Sequence, residues 1–439
     1  MEISKKMKIT YAFGGLGKNL AYGLVSTYTL YYYHTVLGIN ASFVGWLLML
    51  ARIFDAFNDP FMGVVVAKTK SKYGRYKPWI LSGALLNAFI LFAMFSVPKS
   101  LTPLHTKWYI TVTYFLCGIT YTLSDIPFWS IIPATTYPGK ERESMTVLAR
   151  TFSGIGAALP TIITMGCVGI LSFSGGYRLG FKIYAAIIAV IYVITTIISV
   201  LYLPNKEISE PSELSTKELL SALIHNDHAM ILSLVVILYY SAIYLSLNLL
   251  LYVFQYDLGS TLQYNLFMAY MGVAQFLSMV LFYPTLRKRY TNRQIFLSAC
   301  VVCAIGYLCF VLFLGCSHIN FLMLLVPGFC IGYGNGIAYT QVTIFVASAV
   351  DYGEKKTGRR DNSVVSSIQT LIVKFSSAIG VYIAGVGIDM IGITQSNITH
   401  RLLIDLRLLF SLPSLFMVVV AGFIFYYKHD LAKEDATNV

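Results

Sequence analysis

Twelve stretches of more than twenty mostly apolar residues follow one another along this chain, at about 11–36, 41–66, 77–97, 107–136, 145–173, 181–204, 229–255, 263–285, 294–315, 319–350, 363–391 and 402–428. A hydrocarbon core about 30 Å thick takes roughly 20 helical residues to cross, and only helices or closed barrels satisfy every backbone N–H and C=O inside it. Barrel strands alternate polar and apolar residues, and these runs do not. The chain therefore reads as an all-α integral membrane protein with 12 transmembrane helices. Composition points the same way: 57% of residues are apolar and 12% charged, against roughly 45–50% and about 25% in a soluble domain. The net charge of +12 is not gathered on a polar domain, which excludes a soluble enzyme, a nucleic-acid binder and a disordered scaffold. The seven cysteines lie in or at the ends of apolar runs, Cys300 and Cys303 one helical turn apart, and read as packing or lipid-facing residues. Met1 to Thr10 is short and polar and the run after it is too long for a cleaved segment, so no signal peptide is expected.

Basic residues orient the spans, because short cytoplasmic loops are enriched in Lys and Arg. With the N-terminus inside, 22 of the 32 Lys and Arg residues fall in inside segments, six in outside segments (Lys99, Lys107, Arg178, Lys182, Arg401 and Arg407) and four within spans. Both termini are expected in the cytoplasm. The longest inside connection, about Asn205 to His228, lies near the midpoint, which divides the chain into an N-terminal six-helix half (1–204), a linker (205–228) and a C-terminal half with a short tail (229–439). In the linker, Ser215 and Glu218 suit a capping box before Leu219, Leu220, Leu223 and Ile224. That segment reads either as an amphipathic helix on the membrane face or as a plain tether. A repeat supports the division: Arg150-Thr-Phe-Ser-Gly-Ile-Gly156 of span five matches Lys374-Phe-Ser-Ser-Ala-Ile-Gly380 of span eleven, without a gap.

Seven charges lie inside the spans: Lys18, Arg52, Asp55, Asp59, Asp125, Arg150 and Lys374. Each would cost on the order of 3 kcal/mol if left in lipid, so they must face one another or water. Six of the seven belong to the N-terminal half, which points to that half for ion chemistry. Asp55 and Asp59 are four apart and share one face of span two, with Asn58 beside them. These oxygens, with Thr122 of span four, suit a small hard cation, or a proton shared by the two acids; the alternative is structural neutralisation by Arg52 and Lys18. Asp125 and Arg150 occupy neighbouring spans, with Tyr121 a turn before Asp125 and Trp129 a turn after it. A carboxylate, a guanidinium and an indole fit a sugar, whose hydroxyls take charged hydrogen bonds while its apolar face stacks on the ring; the alternative is a buried Asp125–Arg150 salt bridge. The seven histidines sit at loops and span ends, and no GxxxxGK[ST] loop occurs, so neither intramembrane histidine chemistry nor ATP drive is expected. Asn40-Ala-Ser42 and Asn397-Ile-Thr399 fit a glycosylation pattern in outside loops.

Ala51-Arg52-Ile53-Phe54-Asp55-Ala56-Phe57-Asn58-Asp59-Pro60, the loop Tyr73-Gly74-Arg75-Tyr76-Lys77-Pro78-Trp79, the segment Asp125-Ile126-Pro127-Phe128-Trp129-Ser130 and the run Asp351-Tyr352-Gly353-Glu354 resemble the glycoside-pentoside-hexuronide cation symporters, nearly end to end and most closely the bacterial melibiose permeases. The resemblance implies a major-facilitator fold in two six-helix halves. It also implies uptake of a galactoside or related glycoside across the inner membrane by a functional monomer, with no covalent cofactor and a co-transported Na+, Li+ or H+. It assigns Asp55, Asn58, Asp59 and Thr122 to the cation and Lys18, Tyr121, Asp125, Trp129 and Arg150 to the sugar. Arg142 and Asp351 become inner-gate charges, and Lys374 and Thr370 line the cavity from the other half. Two positions depart from melibiose permeases: Asn19 stands for a sugar-binding aspartate and Tyr339 for a tryptophan. Asn19 removes a negative charge, which leaves a hexuronide or other glycoside open as substrate; a pentoside symporter and an uncoupled facilitator or exchanger, with the acids used structurally, are the rivals. The chain ends soon after span twelve, so the phosphotransferase-like tail of some lactose carriers is not expected.

Overall fold

The computed structural model describes residues 4–136, 140–204, 227–313, 320–357, 362–393 and 398–428, with the backbone path alone at 343–357 and 362–370. The expected linker helix and Asn397 lie outside the described residues. Among the described residues there is no strand. Twelve long helices follow in order: α1 (Lys5–Tyr31), α2 (Ala41–Lys68), α3 (Lys77–Met94), α4 (Pro103–Thr135), α5 (Lys140–Leu171), α6 (Gly176–Tyr202), α7 (Asp227–Tyr256), α8 (Thr261–Leu277), α9 (Asn292–Leu312), α10 (Leu325–Thr357), α11 (Asn362–Ile391) and α12 (His400–Lys428). A π-helical stretch, Ser278–Phe282, extends α8 into a short turn, Tyr283–Arg287. Eleven of these helices among the described residues are long and apolar enough to cross a membrane. α1 is the twelfth; four lysines and several glycines dilute its hydropathy.

Side chains at helix starts take up backbone N–H groups that have no partner within the helix. Ser4 accepts from Met7 N at 3.2 Å at the start of α1, and Thr102 accepts from His105 N at 3.4 Å at the start of α4. Thr291 and Gln294 form a reciprocal capping box before α9. Between α2 and α3 the chain turns at Gly74, whose φ of +83° suits a residue without Cβ, and Trp79 Nε1 donates to Thr69 Oγ1 at 2.8 Å across that turn.

The chain divides into two compact units, Met1–Ile39 with Leu50–Glu213, and Asn40–Met49 with Leu214–Val439. In the first unit α1 is the hub, packed on α5 and α6. Lipid gives helices no hydrophobic reason to associate, so close packing between small residues has to hold them. Gly14 and Gly17 of α1 abut Ser199 and Thr195 of α6, and Gly15 abuts Ser153 of α5. The repeat has a packing role in each unit. Gly156, its last residue in α5, faces the Leu16 carbonyl of α1; Gly380, its last residue in α11, faces Leu245 N and the Ser241 carbonyl of α7. Gly156→Ala would set a Cβ against backbone and is expected to cost about 1–3 kcal/mol by overpacking. A lower thermal midpoint in detergent checks this, and Gly154→Ala, with open space around its added Cβ, should leave the midpoint where it was.

In the second unit Arg407, counted among the outside segments, is a buried helical residue. Arg407 lies on α12, is 0% exposed, and donates through Nε and Nη2 to the two carboxylate oxygens of Asp257, both at 2.7 Å. Nη1 adds a bond to the Phe313 carbonyl at 2.8 Å. Buried charge is therefore less confined to the N-terminal half than the sequence suggests. Hydropathy places Arg407 beside a span end, and only packing reveals that its fork turns inward to a carboxylate 150 residues away. Asn40, read as a glycosylation acceptor, donates from Nδ2 to Asp389 Oδ2 at 2.7 Å, and Ser42 Oγ donates to the same oxygen at 2.7 Å.

Candidate functional site

The intramembrane polar residues of the first unit converge on α4, which carries Gly118, Tyr121, Thr122, Asp125 and Trp129 over three helical turns. Its position against α3 is fixed in two ways. A Cβ on Gly83 would meet the Ser124 backbone nitrogen at 2.6 Å, so the two helices touch there. One turn away the buried Asn87 donates from Nδ2 to Cys117 O and to Thr120 Oγ1, both at 2.9 Å. A buried amide with both hydrogens committed holds one register of α4 and no other.

At one end of this stretch Lys18 of α1, 1% exposed, forms an ion pair with Asp125 Oδ1. Trp129 Nε1 donates to the same oxygen at 3.2 Å. The Lys18 ammonium also lies 4.1 Å from the Phe128 ring centroid and 4.8 Å from that of Trp129. Arg150 of α5 does not pair with Asp125; its guanidinium carbon stands 4.1 Å from the Trp129 centroid. Two cations thus contact one indole, an arrangement favoured where water is scarce. The alternative reading, a buried Asp125–Arg150 bridge, is not what forms; Asp125 pairs with Lys18 instead, because α1 packs its small residues close enough to α5 and α6 to bring Lys18 among the aromatic rings. Tyr11 donates its hydroxyl to the Phe128 carbonyl and stacks on Phe128 with centroids 4.4 Å apart. Beneath lies an apolar cluster that includes Met62, Val66, Ile80, Ile131 and Met145.

Toward the other end of the stretch, Thr122 Oγ1 donates to Asp59 Oδ1 of α2 at 3.0 Å. Asp55, 9% exposed, lies against Gly118, where an added Cβ would sit 2.5 Å from Oδ1. Asn58 is half-buried on the same helix. Arg52 Nη1 donates to Tyr22 Oη at 3.4 Å, and Tyr22 packs on Tyr121 with centroids 5.3 Å apart. A small cavity of about 30 Å³ opens among Asp55, Arg52, Tyr22, Asn87, Tyr114 and Tyr121. Among the described residues no three His, Cys, Asp or Glu side chains gather to hold a metal ion. Any cation at Asp55 and Asp59 would complete its shell with neutral oxygens such as those of Asn58 and Thr122, which suits a weakly held monovalent ion better than a transition metal.

The other anticipated residues make other contacts, belong to the second unit or lie outside what is described. Asn19 donates from Nδ2 to the Gly15 carbonyl of its own helix at 2.8 Å. Arg142 donates from Nε to Thr136 Oγ1 at 3.1 Å and from Nη2 to the Thr136 carbonyl, at the end of α4. Tyr339 on α10 is 52% exposed, and Lys374 on α11 is half-buried; both belong to the second unit. The side chains of Asp351 and Thr370 are outside the described residues. Sequence reasoning missed Tyr11, Tyr22, Asn87 and Gly118. Tyr22 had a signal, since it follows Lys18 by four residues and shares its helical face. Gly118 had none.

A family model described as MFS/sugar transport protein matches residues 10–430. The chain belongs to that family. Its members are transporters, so the chain is a multi-pass membrane transporter and not an enzyme, as the sequence led us to expect. Over 98% of its length the chain is 27% identical to the lactose permease of Lactobacillus delbrueckii subsp. bulgaricus, covering 71% of that protein. Over 86% of its length it is 28% identical to the isoprimeverose transporter of Lactiplantibacillus pentosus, covering 78% of it. A crystal structure of the nucleoside transporter NupG superposes with a TM-score of 0.67 at 16% identity, over 96% of this chain and all of that one. That likeness speaks for the shared twelve-helix fold.

Proposed function

We propose that this MFS/sugar transport protein is a cation-coupled symporter that imports a galactoside or related oligosaccharide, with Na+, Li+ or H+ as the driving ion. The observation that carries the reading is the sharing of α4: Thr122 contacts an acid of α2, and three residues on Asp125 contacts the lysine of α1. A cation drawn to Asp55 and Asp59 would reorient Thr122, and one rigid helix would pass that change to Asp125 and Trp129. Sugar hydroxyls would then compete with Lys18 and Trp129 for the Asp125 carboxylate, while Arg150 and Tyr121 offer a donor fork and an aromatic face. Coupling of this kind is reciprocal, so sugar tightens cation binding by the same factor. Lactose and isoprimeverose, named for the two relatives, are both disaccharides, which supports a small oligosaccharide over a monosaccharide. Both termini in the cytoplasm and a bacterial inner membrane follow from the Lys and Arg asymmetry and the family resemblance. Arg142 with Asp351 acts as an inner gate in this reading, Lys374, Thr370 and Tyr339 line the path from the second six-helix half, and the monomer is the working unit.

At about 100 mV, entry of one positive charge contributes roughly 2.3 kcal/mol, and a tenfold ion gradient about 1.4 more, enough for a few-hundred-fold accumulation. The test is uptake of labelled lactose and melibiose into membrane vesicles under imposed Na+, Li+ or proton gradients. Accumulation that vanishes when one gradient is collapsed supports symport and names the ion; uptake indifferent to every gradient replaces it with a facilitator. One observation favours a second substrate class. Around Trp129 the side chains supply two cations, Lys18 and Arg150, for one carboxylate, and Asn19 adds no negative charge. A hexuronide carboxylate would balance that excess. Competition by a glucuronide exceeding that by the galactosides would move the assignment there, and Asn19→Asp is then expected to restore the preference for neutral sugar.

A further inference from the structure

Where the turn Tyr283–Arg287 passes into α9, four cations fall within seven residues: Arg287, Lys288, Arg289 and Arg293. No Asp or Glu occurs anywhere from Leu258 to Val350, so α8, α9 and their connection supply no acid to neutralise them. The first three are exposed. They are not on a loose loop: Leu286 O accepts from both Arg289 N and Tyr290 N, Arg287 Nη1 donates to Tyr290 O at 3.2 Å, and the Thr291–Gln294 capping box closes the turn. The fourth is anchored to another helix. Arg293 Nη2 donates to the Tyr426 carbonyl of α12 at 2.6 Å and its guanidinium lies 5.1 Å from the Tyr426 ring centroid. That anchor sets the cations beside an exposed aromatic group at the end of α12. Tyr426 is 52% exposed, Tyr427 67% and Phe423 62%, with Tyr427 packed on Phe423 and Tyr426.

Exposed tyrosines at a span end mark the headgroup level of a bilayer, where the ring sits in the acyl boundary and the hydroxyl in water. Cations ordered at that same level, with alkyl stems able to lie along lipid, face the phosphates of the surrounding leaflet. We propose that Lys288, Arg289 and Arg293, with Tyr426 and Tyr427, form a binding site for the headgroup of an anionic phospholipid. The exposed rings argue for a lipid over a soluble anion, because they would contact acyl chain while the cations hold the phosphate. This inference concerns the lipid around the protein and does not depend on the substrate or the coupling ion.

Native mass spectrometry of the full-length protein in detergent tests it, with phosphatidylglycerol and phosphatidylcholine of identical acyl chains added in turn. The wild type is expected to bind phosphatidylglycerol in preference, and Lys288→Gln and Arg289→Gln to cut that preference about fivefold each. The pair Lys99→Gln with Lys107→Gln, which removes equal charge elsewhere, should leave it unchanged. Glycerol phosphate at millimolar concentration should fail to displace the lipid. A wild-type preference in the Lys288→Gln, Arg289→Gln double variant overturns the proposal, as does an equal loss in the Lys99, Lys107 control or displacement by glycerol phosphate. Both substituted positions are exposed, and an unchanged thermal midpoint verifies the fold of each variant.

Discussion

Asp125→Ala is expected to lower both stability and substrate affinity, and the two losses can be separated. The substitution leaves the Lys18 ammonium, 1% exposed, without the carboxylate that holds it, and Trp129 Nε1 without its acceptor. Removing one partner of a buried ion pair typically costs about 3–5 kcal/mol, because the other charge stays out of water uncompensated. Replacing both partners by apolar residues, Lys18→Met with Asp125→Leu, removes that penalty. The double variant should therefore recover most of the thermal midpoint lost by Asp125→Ala. It should not recover binding: with the carboxylate gone from beside the indole, galactoside affinity is expected to fall by more than about tenfold in both variants. Calorimetric titration with lactose and melibiose, alongside thermal unfolding in detergent, gives both readouts. Wild-type affinity in the double variant would mean that the α4 carboxylate has no part in holding substrate.

Asp59→Asn should uncouple the transporter without closing it. The amide oxygen can still accept from Thr122, so local geometry survives while the negative charge is lost. Downhill counterflow of sugar is expected to persist, and accumulation against a gradient to drop from a few-hundred-fold toward unity, the loss of the roughly 3.7 kcal/mol that ion and potential together supply. Gly118→Ala offers an intermediate perturbation, because its Cβ would sit 2.5 Å from Asp55 Oδ1 and force that carboxylate aside. It should weaken the apparent affinity for the driving ion while counterflow continues. Undiminished accumulation by Asp59→Asn would remove the α2 acids from the energy-coupling step.

Much of the fold was legible because the signal for a membrane helix is local. A run such as Gly176–Tyr202 declares itself by length and hydropathy without reference to any neighbour. Asp55 and Asp59 could be put on one face from their spacing alone. The seven-residue match ending at Gly156 and Gly380 pointed to two related halves, and those glycines occupy equivalent close crossings in the two units. Arg407 marks the limit of such reading. Its nearness to the start of span twelve put it among the outside segments, yet it is wholly buried against Asp257.

Sequence alone determined that this chain crosses a membrane twelve times, that its N-terminal helices carry charges lipid will not tolerate singly, and that two of those charges are acids one turn apart. Only the tertiary structure decided which charge answers which. Lys18 reaches Asp125, Arg150 turns to the ring of Trp129, and Asp59 takes the hydroxyl of Thr122. The reason is geometric. Hydropathy and spacing fix where a residue lies along its own helix, whereas its partner depends on how each helix is rotated about its axis and how closely it approaches the next. In lipid that approach is set by backbone-to-backbone packing at glycines such as Gly83 and Gly156, which no single helix specifies by itself.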